Sequence, residues 1–220
     1  MKTAQVTITG TTPLLMHADN IEWADKMDAW RTVPANKAAS KPGDDRTPAW
    51  RWIGALNFDQ PNGVVTVPSE YIMASIMGGA AKVPTGKGQT TFKSLSQSGL
   101  LCAEFHWPLL VGGQEVPMPP IQALMEESRF HAHVEAVRKM RFSLFTKRVV
   151  IGKAKHIRVR PRFDNWTVQG EILITDSAIS LETLQEILTQ AGRLKGLGDW
   201  RPGAPHPGPF GMFQATVTEV

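Results

Sequence analysis

The chain has 220 residues, of which 42% are hydrophobic and 20% charged, and its formal net charge is +4. This length allows a self-sufficient core, and the composition excludes disordered and fibrous proteins. Its one cysteine, Cys102, cannot form an internal disulfide, and the sequence has neither an N-terminal signal region nor a stretch of about 18 apolar residues. We therefore expect a cytoplasmic protein with no membrane partner.

The first half of the chain predicts a strand, an irregular segment, and then a second strand and a helix. Residues 5–10 alternate polar and apolar side chains, which predicts a half-buried strand. Residues 17–63 show no period, and we interpret them as an inserted lobe. A short strand is predicted over 64–67 and a helix over 69–81, with its apolar side chains on one face. The glycines and lysines of residues 82–99 are typical of an exposed, basic, flexible loop.

The second half shows more regular patterns. A helix is predicted from a cap at Ser180 to a stop at Gly192, and a glycine-rich segment follows over 196–211. Strands are predicted over residues 100–108, 149–151, 156–162, 166–175 and 213–217. This order is the βαββαβ plan of an α+β, ferredoxin-like (RRM-like) sheet. We expect one domain over residues 1–220, with a large insertion after the first strand and the glycine-rich loop before the last.

Two stretches resemble a known family. Residues 196–202 (Gly-Leu-Gly-Asp-Trp-Arg-Pro), with 208–211 (Gly-Pro-Phe-Gly) after them, resemble the glycine-rich loop of the RAMP superfamily of CRISPR-associated proteins. The opening that runs into residues 13–17 (Pro-Leu-Leu-Met-His) is similar to the start of the backbone subunits that polymerise along CRISPR RNA. Both features also resemble phage and prophage proteins, so a phage-encoded relative is an alternative. The resemblance implies head-to-tail assembly with copies of the chain or with other subunits of a complex.

The strongest chemical signal is a basic segment. Residues 129–162 contain eleven Lys or Arg against one acidic residue, Glu135, a local excess of ten positive charges, whereas the rest of the chain is net acidic by six. On an extended strand, Ile157 and Val159 would face inward, and Arg158, Arg160 and Arg162 would line the other face. Their spacing of about 7 Å is comparable to the distance between consecutive phosphates of a single strand. Candidate phosphate contacts in this segment are Lys147, Arg148, Lys153, Lys155, Arg158, Arg160 and Arg162. Lys155 falls on the apolar side of the alternation, so a turn or bulge is expected there.

Two further segments carry candidate nucleic-acid contacts. In the loop over 82–99, three lysines would clamp phosphates and Phe92 would stack on a base. In the glycine-rich loop, Trp200 and Arg201 pair a flat ring with a guanidinium, although a tryptophan that only holds its own loop is an equal reading. The three lysines are Lys82, Lys87 and Lys93. The open face of the first strand carries Gln5 and Thr7 and lacks the aromatic pair of a typical RRM, so base readout there is not expected.

Histidines and tryptophans give weaker signals. His131 and His133 would share a face on a strand and would then be metal candidates with a third ligand, but a hydrogen-bonded pair is the simpler interpretation. His17 is the candidate catalytic residue, because some relatives that the resemblance implies are metal-independent endoribonucleases that use a histidine. Trp107 and Trp166 are expected in the core, and Trp50 and Trp52 are candidate stacking platforms.

These observations predict a protein that binds single-stranded nucleic acid, RNA more than DNA, without cleaving it, and that needs no cofactor. Its phosphate contacts would come from the basic segment and the lysine loop, and the resemblance makes it a backbone-type subunit of a ribonucleoprotein or filament. Two alternatives stay open: a metal-independent endoribonuclease of the same superfamily, and a phage structural or assembly protein whose basic segment docks on an acidic protein partner.

Overall fold

The computed structural model describes residues 1–39, 47–151 and 154–220, and within it the chain divides into two compact units. The first unit consists of Met1–Leu15, Phe58–Val116 and Phe163–Val220. The second unit consists of Met16–Asn57 and Pro117–Arg162. The sequence favoured one domain with an insertion at 17–63. Residues up to Asn57 of that stretch group with a second stretch that begins 60 residues further along the chain, and residues 58–63 belong to the first unit. Sequence order alone does not reveal such a pairing.

The described residues form an α+β structure. The strands are β1 (Lys2–Gly10), β2 (Leu14–Leu15), β3 (Phe58–Asp59), β4 (Val64–Pro68), β5 (Leu100–Cys102), β6 (His106–Val111), β7 (Gln114–Glu115), β8 (Ser143–Ile151), β9 (Ala154–Phe163), β10 (Trp166–Ile174) and β11 (Phe213–Glu219). The helices are α1 (Ile21–Thr32), α2 (Pro34–Ala39), α3 (Ser69–Ala80), α4 (Lys93–Gly99), α5 (Ile121–Glu126), α6 (Phe130–Lys139) and α7 (Leu181–Leu194), and a 3-10 helix spans Ala49–Ala55. None of the helices in the described ranges is long and apolar enough to cross a membrane.

The first unit is built on a mostly antiparallel sheet. Its strand order is β11-β1-β10-β6-β4-β3, with β5 beside β10 and β7 beside β6. The alternation read from the first strand is confirmed, because Ala4, Val6 and Ile8 are all at most 1% exposed. Gln5 and Thr7 lie half-buried on its other face, so that face is polar.

Two amphipathic helices cover the buried sheet face. In α3, Ile72, Ile76 and Ala80 recur every four residues and are fully buried, as the period predicts. In α7, the Ser180 hydroxyl accepts the Thr183 amide hydrogen bond and so caps the helix as expected. The helices α3 and α7 pack against each other. The helix α7 does not stop at Gly192, however; it continues to Leu194.

None of the five helical segments of the second unit was expected from the sequence, and α1, α6 and the 3-10 helix are three of these segments. Helix α1 begins where the Asn20 side chain accepts a hydrogen bond from the Glu22 amide, and a Glu22–Lys26 ion pair one turn later supports it. These contacts are polar, and α1 has no apolar stripe along one face. Hydrophobic periodicity therefore does not reveal this helix. In α6, His133 and Val137 are buried four residues apart. His131 and His133 therefore lie on a helix, so the condition under which they would share a face, an extended strand, is not met. The third segment is the 3-10 helix.

Candidate functional site

The strands β8 and β9 form a regular antiparallel hairpin in the second unit, and its register decides which charges share a face. Lys147 stands opposite Arg158, and Phe145 stands opposite Arg160. Because alternate residues of a strand point to the same side, Arg162 also lies on this face. We call it the basic face: Phe145, Lys147, Arg158, Arg160 and Arg162, all of them only partly exposed. The expected row of three arginines on one side of an extended strand is confirmed.

The opposite face of the hairpin is largely apolar. Val159 is 6% exposed and Pro161 is buried. Arg148 stands opposite Ile157 and therefore belongs to this face, so it does not extend the row of arginines as predicted. The ladder runs without a bulge through Lys155, which pairs with Val150, so the break expected at that residue does not occur. Lys153 and the side chain of Lys155 lie outside the described part of the chain.

Two like charges oppose each other directly on the basic face, at Lys147 and Arg158. Such a cross-strand pair destabilises a sheet by a few tenths to about 1 kcal/mol. An anion bound beside this pair would reduce the repulsion between the two side chains.

We expect Lys147→Glu to raise the free energy of unfolding by about 1 kcal/mol, because repulsion with Arg158 becomes attraction. The same variant should bind a single-stranded oligonucleotide more weakly. Arg148→Glu is the matched control: it makes the same change in charge one residue away, on the other face. Urea unfolding and fluorescence anisotropy measure the two effects. If both variants behave alike in both measurements, the claim that Lys147, and not Arg148, lies on the binding face is wrong.

The basic face continues into a cavity of about 380 Å³ within the second unit, the arginine cavity. Arg158 and Arg160 line it from β9, Arg51 lines it from the 3-10 helix, and His17 lines it from the segment before α1. Arg51 also donates from Nη1 to the Ile157 carbonyl, at 3.4 Å. Three guanidinium groups thus line one cavity, and arginine is the side chain that binds oxyanions such as phosphate through paired N–H donors.

One carboxylate accompanies these cations among the lining residues. Asp19 Oδ1 lies 3.9 Å from His17 Nε2, and the Asp19 side chain is 98% exposed. Since water screens an exposed carboxylate, it offsets little of the positive potential of three arginines. Among the residues that line the arginine cavity, three arginines thus face one exposed carboxylate.

The lysine loop lies in the first unit and is more ordered in form than the sequence predicted. Lys82, Lys87 and Lys93 are exposed, as expected. The stretch between them turns back on itself through a bridge between Pro84 and Thr91, and residues 93–99 form α4 instead of loop. Phe92 is half-buried, and its amide donates to the Val83 carbonyl at 2.9 Å.

The glycine-rich loop, also in the first unit, is held by its own contacts. The Trp200 indole donates to the Pro207 carbonyl at 3.2 Å, and its ring packs on Phe210 with centroids 5.5 Å apart. Arg201 donates from Nη1 to the Gly198 carbonyl at 3.2 Å. These contacts favour the reading in which Trp200 fastens its own loop over the one in which it stacks on a base.

Two of the loop's glycines are explained by close approach of the chain to itself. Gly198 and Gly211 have φ angles of 76° and 70°, and a Cβ on Gly211 would collide with the Leu197 carbonyl. The Gly211 amide donates to the Pro13 carbonyl at 2.8 Å, and the Asp199 amide donates to the Leu15 carbonyl at 2.7 Å. The glycines therefore tie the loop to residues 13–15, and no ligand is needed to account for them.

The buried histidine is part of a hydrogen-bonded relay. Trp52 donates from its indole to His133 Nδ1 at 3.1 Å, so the ring hydrogen is on Nε2, which donates to the Glu127 carbonyl at 2.9 Å. Both ring nitrogens are thus used within the core. Within the described ranges there is no group of three or more His, Cys, Asp or Glu that could hold a metal ion.

Five of the tryptophans and the cysteine are buried, and two of these tryptophans, Trp50 and Trp52, were expected to be stacking platforms. Trp107 and Trp166 are fully buried, which confirms their core role, but Trp52 is also fully buried and cannot serve as a stacking platform. Trp50 is 7% exposed. Burial raises the pKa of the Cys102 thiol to about 12, so this cysteine is an unreactive core residue.

Sequence reasoning missed two residues of the site. Phe145 lies on the basic face because of the β8–β9 register, and Arg51 reaches the arginine cavity from a segment without periodicity. A longer prediction for β8 would have placed Phe145 in alternation with Lys147. Nothing in the local sequence marks Arg51, since its neighbour Ile157 is 106 residues away.

Comparison with known proteins adds no assignment: no protein-family model and no curated protein matches this sequence.

Proposed function

We propose that this protein binds single-stranded nucleic acid through the basic face and the arginine cavity of its second unit, without cleaving it. The observation that carries the proposal is the row of Arg158, Arg160 and Arg162 on one face of β9, joined by Lys147 from β8 and by Arg51 at the cavity. Alternate residues of a strand are about 7 Å apart, so successive guanidinium groups can contact successive phosphates of an extended strand. The half-buried Phe145 offers a stacking surface among these cations.

The resemblance to the RAMP superfamily favours RNA over DNA and a backbone-type subunit of a ribonucleoprotein or filament. We also propose that the core of the first unit is ferredoxin-like. The strand order β11-β1-β10-β5 and the packing of α3 against α7 support that fold. An assembled protein would place several basic faces along one polyanion, and the affinities of linked sites would then reinforce one another.

The test is a salt titration with a fluorescein-labelled single-stranded RNA, its DNA counterpart and a duplex of equal length. We expect tightest binding to the RNA, and the logarithm of the affinity should fall with the logarithm of salt concentration by about 0.7 for each phosphate contacted. Electron microscopy of the same mixtures would show filaments only with nucleic acid. If the protein binds none of the three nucleic acids at low salt, the proposal is overturned and an acidic protein partner is favoured.

A second candidate function rests on the position of His17. Its imidazole lines the same cavity as three arginines, with Asp19 nearby, which suits metal-independent RNA cleavage. His17 would accept the proton of a 2′-hydroxyl as that oxygen attacks the adjacent phosphorus; the 5′-oxygen would leave and take a proton from water, and the arginines would stabilise the added negative charge. The products would be a 2′,3′-cyclic phosphate and a 5′-hydroxyl.

If the protein cleaves RNA, we expect His17→Ala to reduce the rate by about 100-fold or more, while affinity for an uncleavable 2′-deoxy strand stays nearly unchanged. Labelled RNA incubated in EDTA and resolved on a denaturing gel measures the rate. Asp19→Asn is the control, because it keeps the shape of the neighbour and should cost much less. Intact RNA after long incubation with the wild type would rule out this second function.

A further inference from the structure

The second unit contains another cavity, of about 730 Å³, whose walls are mostly aromatic and aliphatic. Trp30, Trp50 and Phe130 supply rings, and Ile157 and Val159 supply aliphatic surface from β9. We call it the aromatic cavity. Its volume is within the range of cavities that hold small molecules or single groups of a larger ligand. Phe130 and Ile157 are each 39% exposed, so its apolar lining is open to solvent.

The aromatic cavity and the arginine cavity share two walls. On β9, Ile157 and Val159 line the first, whereas Arg158 and Arg160 line the second, because successive residues of a strand point to opposite sides. On the 3-10 helix, the consecutive residues Trp50 and Arg51 divide in the same way. Two separate elements thus place apolar and cationic side chains back to back. A ligand that spans them would have an anionic part and a flat apolar part.

The aromatic cavity also carries a small set of fixed polar groups. Arg129 donates to both carboxylate oxygens of Glu127, at 3.0 and 2.7 Å, and these hydrogen bonds lower the pKa of Glu127 to about 2. The Asn36 amide donates to the Trp30 carbonyl at 2.9 Å, which orients its oxygen. Acceptors held at the edge of a ring-lined cavity are suited to the N–H groups at the edge of a heterocycle.

We propose that the aromatic cavity accepts a nucleobase of the strand whose phosphates bind in the arginine cavity. This inference rests on the proposed function and adds to it a base-binding site on the reverse side of β9. A nucleotide has the required chemistry, since its phosphate is anionic and its base is flat, apolar on its faces and polar at its edge. Ring stacking explains how such a site tolerates different bases.

The test compares a normal single-stranded oligonucleotide with an abasic strand of the same length, which has the same phosphates and no bases. We expect the wild type to bind the normal strand about tenfold or more tightly, the scale of one stacked base. Phe130→Ala and Trp30→Ala should remove most of that preference and leave the salt dependence unchanged. Phe105→Ala is the control: this phenylalanine is 83% exposed and lies in the first unit.

The outcomes distinguish failure of the base site from failure of the proposed function. Equal, salt-dependent binding of normal and abasic strands would overturn the base site and leave the proposed function standing. Binding of neither strand would overturn both. A preference for the normal strand that survives in both Phe130→Ala and Trp30→Ala would place base contacts elsewhere, such as at Phe145, and would overturn the assignment to the aromatic cavity. Far-ultraviolet circular dichroism of each variant confirms that it is folded.

Discussion

Simultaneous replacement of Arg158, Arg160 and Arg162 by alanine is expected to weaken single-stranded RNA binding by about three orders of magnitude or more. Each guanidinium contributes a charged hydrogen bond worth at least about 1.5 kcal/mol at a phosphate. The slope of log affinity against log salt should also become shallower by about 2, since three phosphate contacts are lost at about 0.7 each. Fluorescence anisotropy between 50 and 300 mM salt measures both quantities. This range lies on both sides of 0.1 M, where the Debye length is about 10 Å.

A matched variant separates local contacts from net charge. Replacing three exposed cations elsewhere with alanine, at Arg31, Lys139 and Arg193, removes the same total charge. These residues line neither cavity and are not on the hairpin, so the slope should change little. The triple hairpin variant should remain folded, because it relieves the repulsion around Lys147. An unchanged slope in that variant would mean that the basic face does not contact phosphates.

Trp52→Ala is expected to reduce the free energy of unfolding by about 3–5 kcal/mol, the usual cost of removing a buried tryptophan side chain. Trp52 is fully buried, packs edge-on against Phe142 with ring centroids 5.7 Å apart, and donates to His133. Its loss removes apolar contacts and leaves the His133 Nδ1 atom without its donor. Urea unfolding followed by circular dichroism gives the change.

A smaller substitution isolates the hydrogen bond. Trp52→Phe keeps an aromatic ring in the core but removes the indole donor. We expect it to reduce the free energy of unfolding by about 1–3 kcal/mol, because the buried His133 Nδ1 acceptor is left unpaired. If Trp52→Phe were as stable as the wild type, the relay through His133 to the Glu127 carbonyl would not contribute to stability. If Trp52→Ala were equally stable, the described core of the second unit would be wrong.

The sequence predicted best the elements whose amphipathic pattern also decides their packing. Strand β10 and helix α7 each place apolar residues at the period of one buried face, and Ile172 and Ile187 are fully buried as expected. Helix α1 was missed because caps and ion pairs, not a stripe, support it. No element was predicted over α6. His131 and His133 would share a face only on a strand, whereas the pair buried together on the helix is His133 and Val137.

By itself, the sequence determined the composition of the site: a short segment with ten excess positive charges, and arginines spaced so that an extended chain puts them on one side. Tertiary structure decided which charges act together. Strand register placed Arg148 on the face away from Lys147, and packing within the second unit brought Arg51 and His17 to the arginines of β9. The physical reason is that charge and local period are properties of neighbours in the chain. Pairing register and contacts across 100 or more residues depend instead on how whole elements bury their apolar faces.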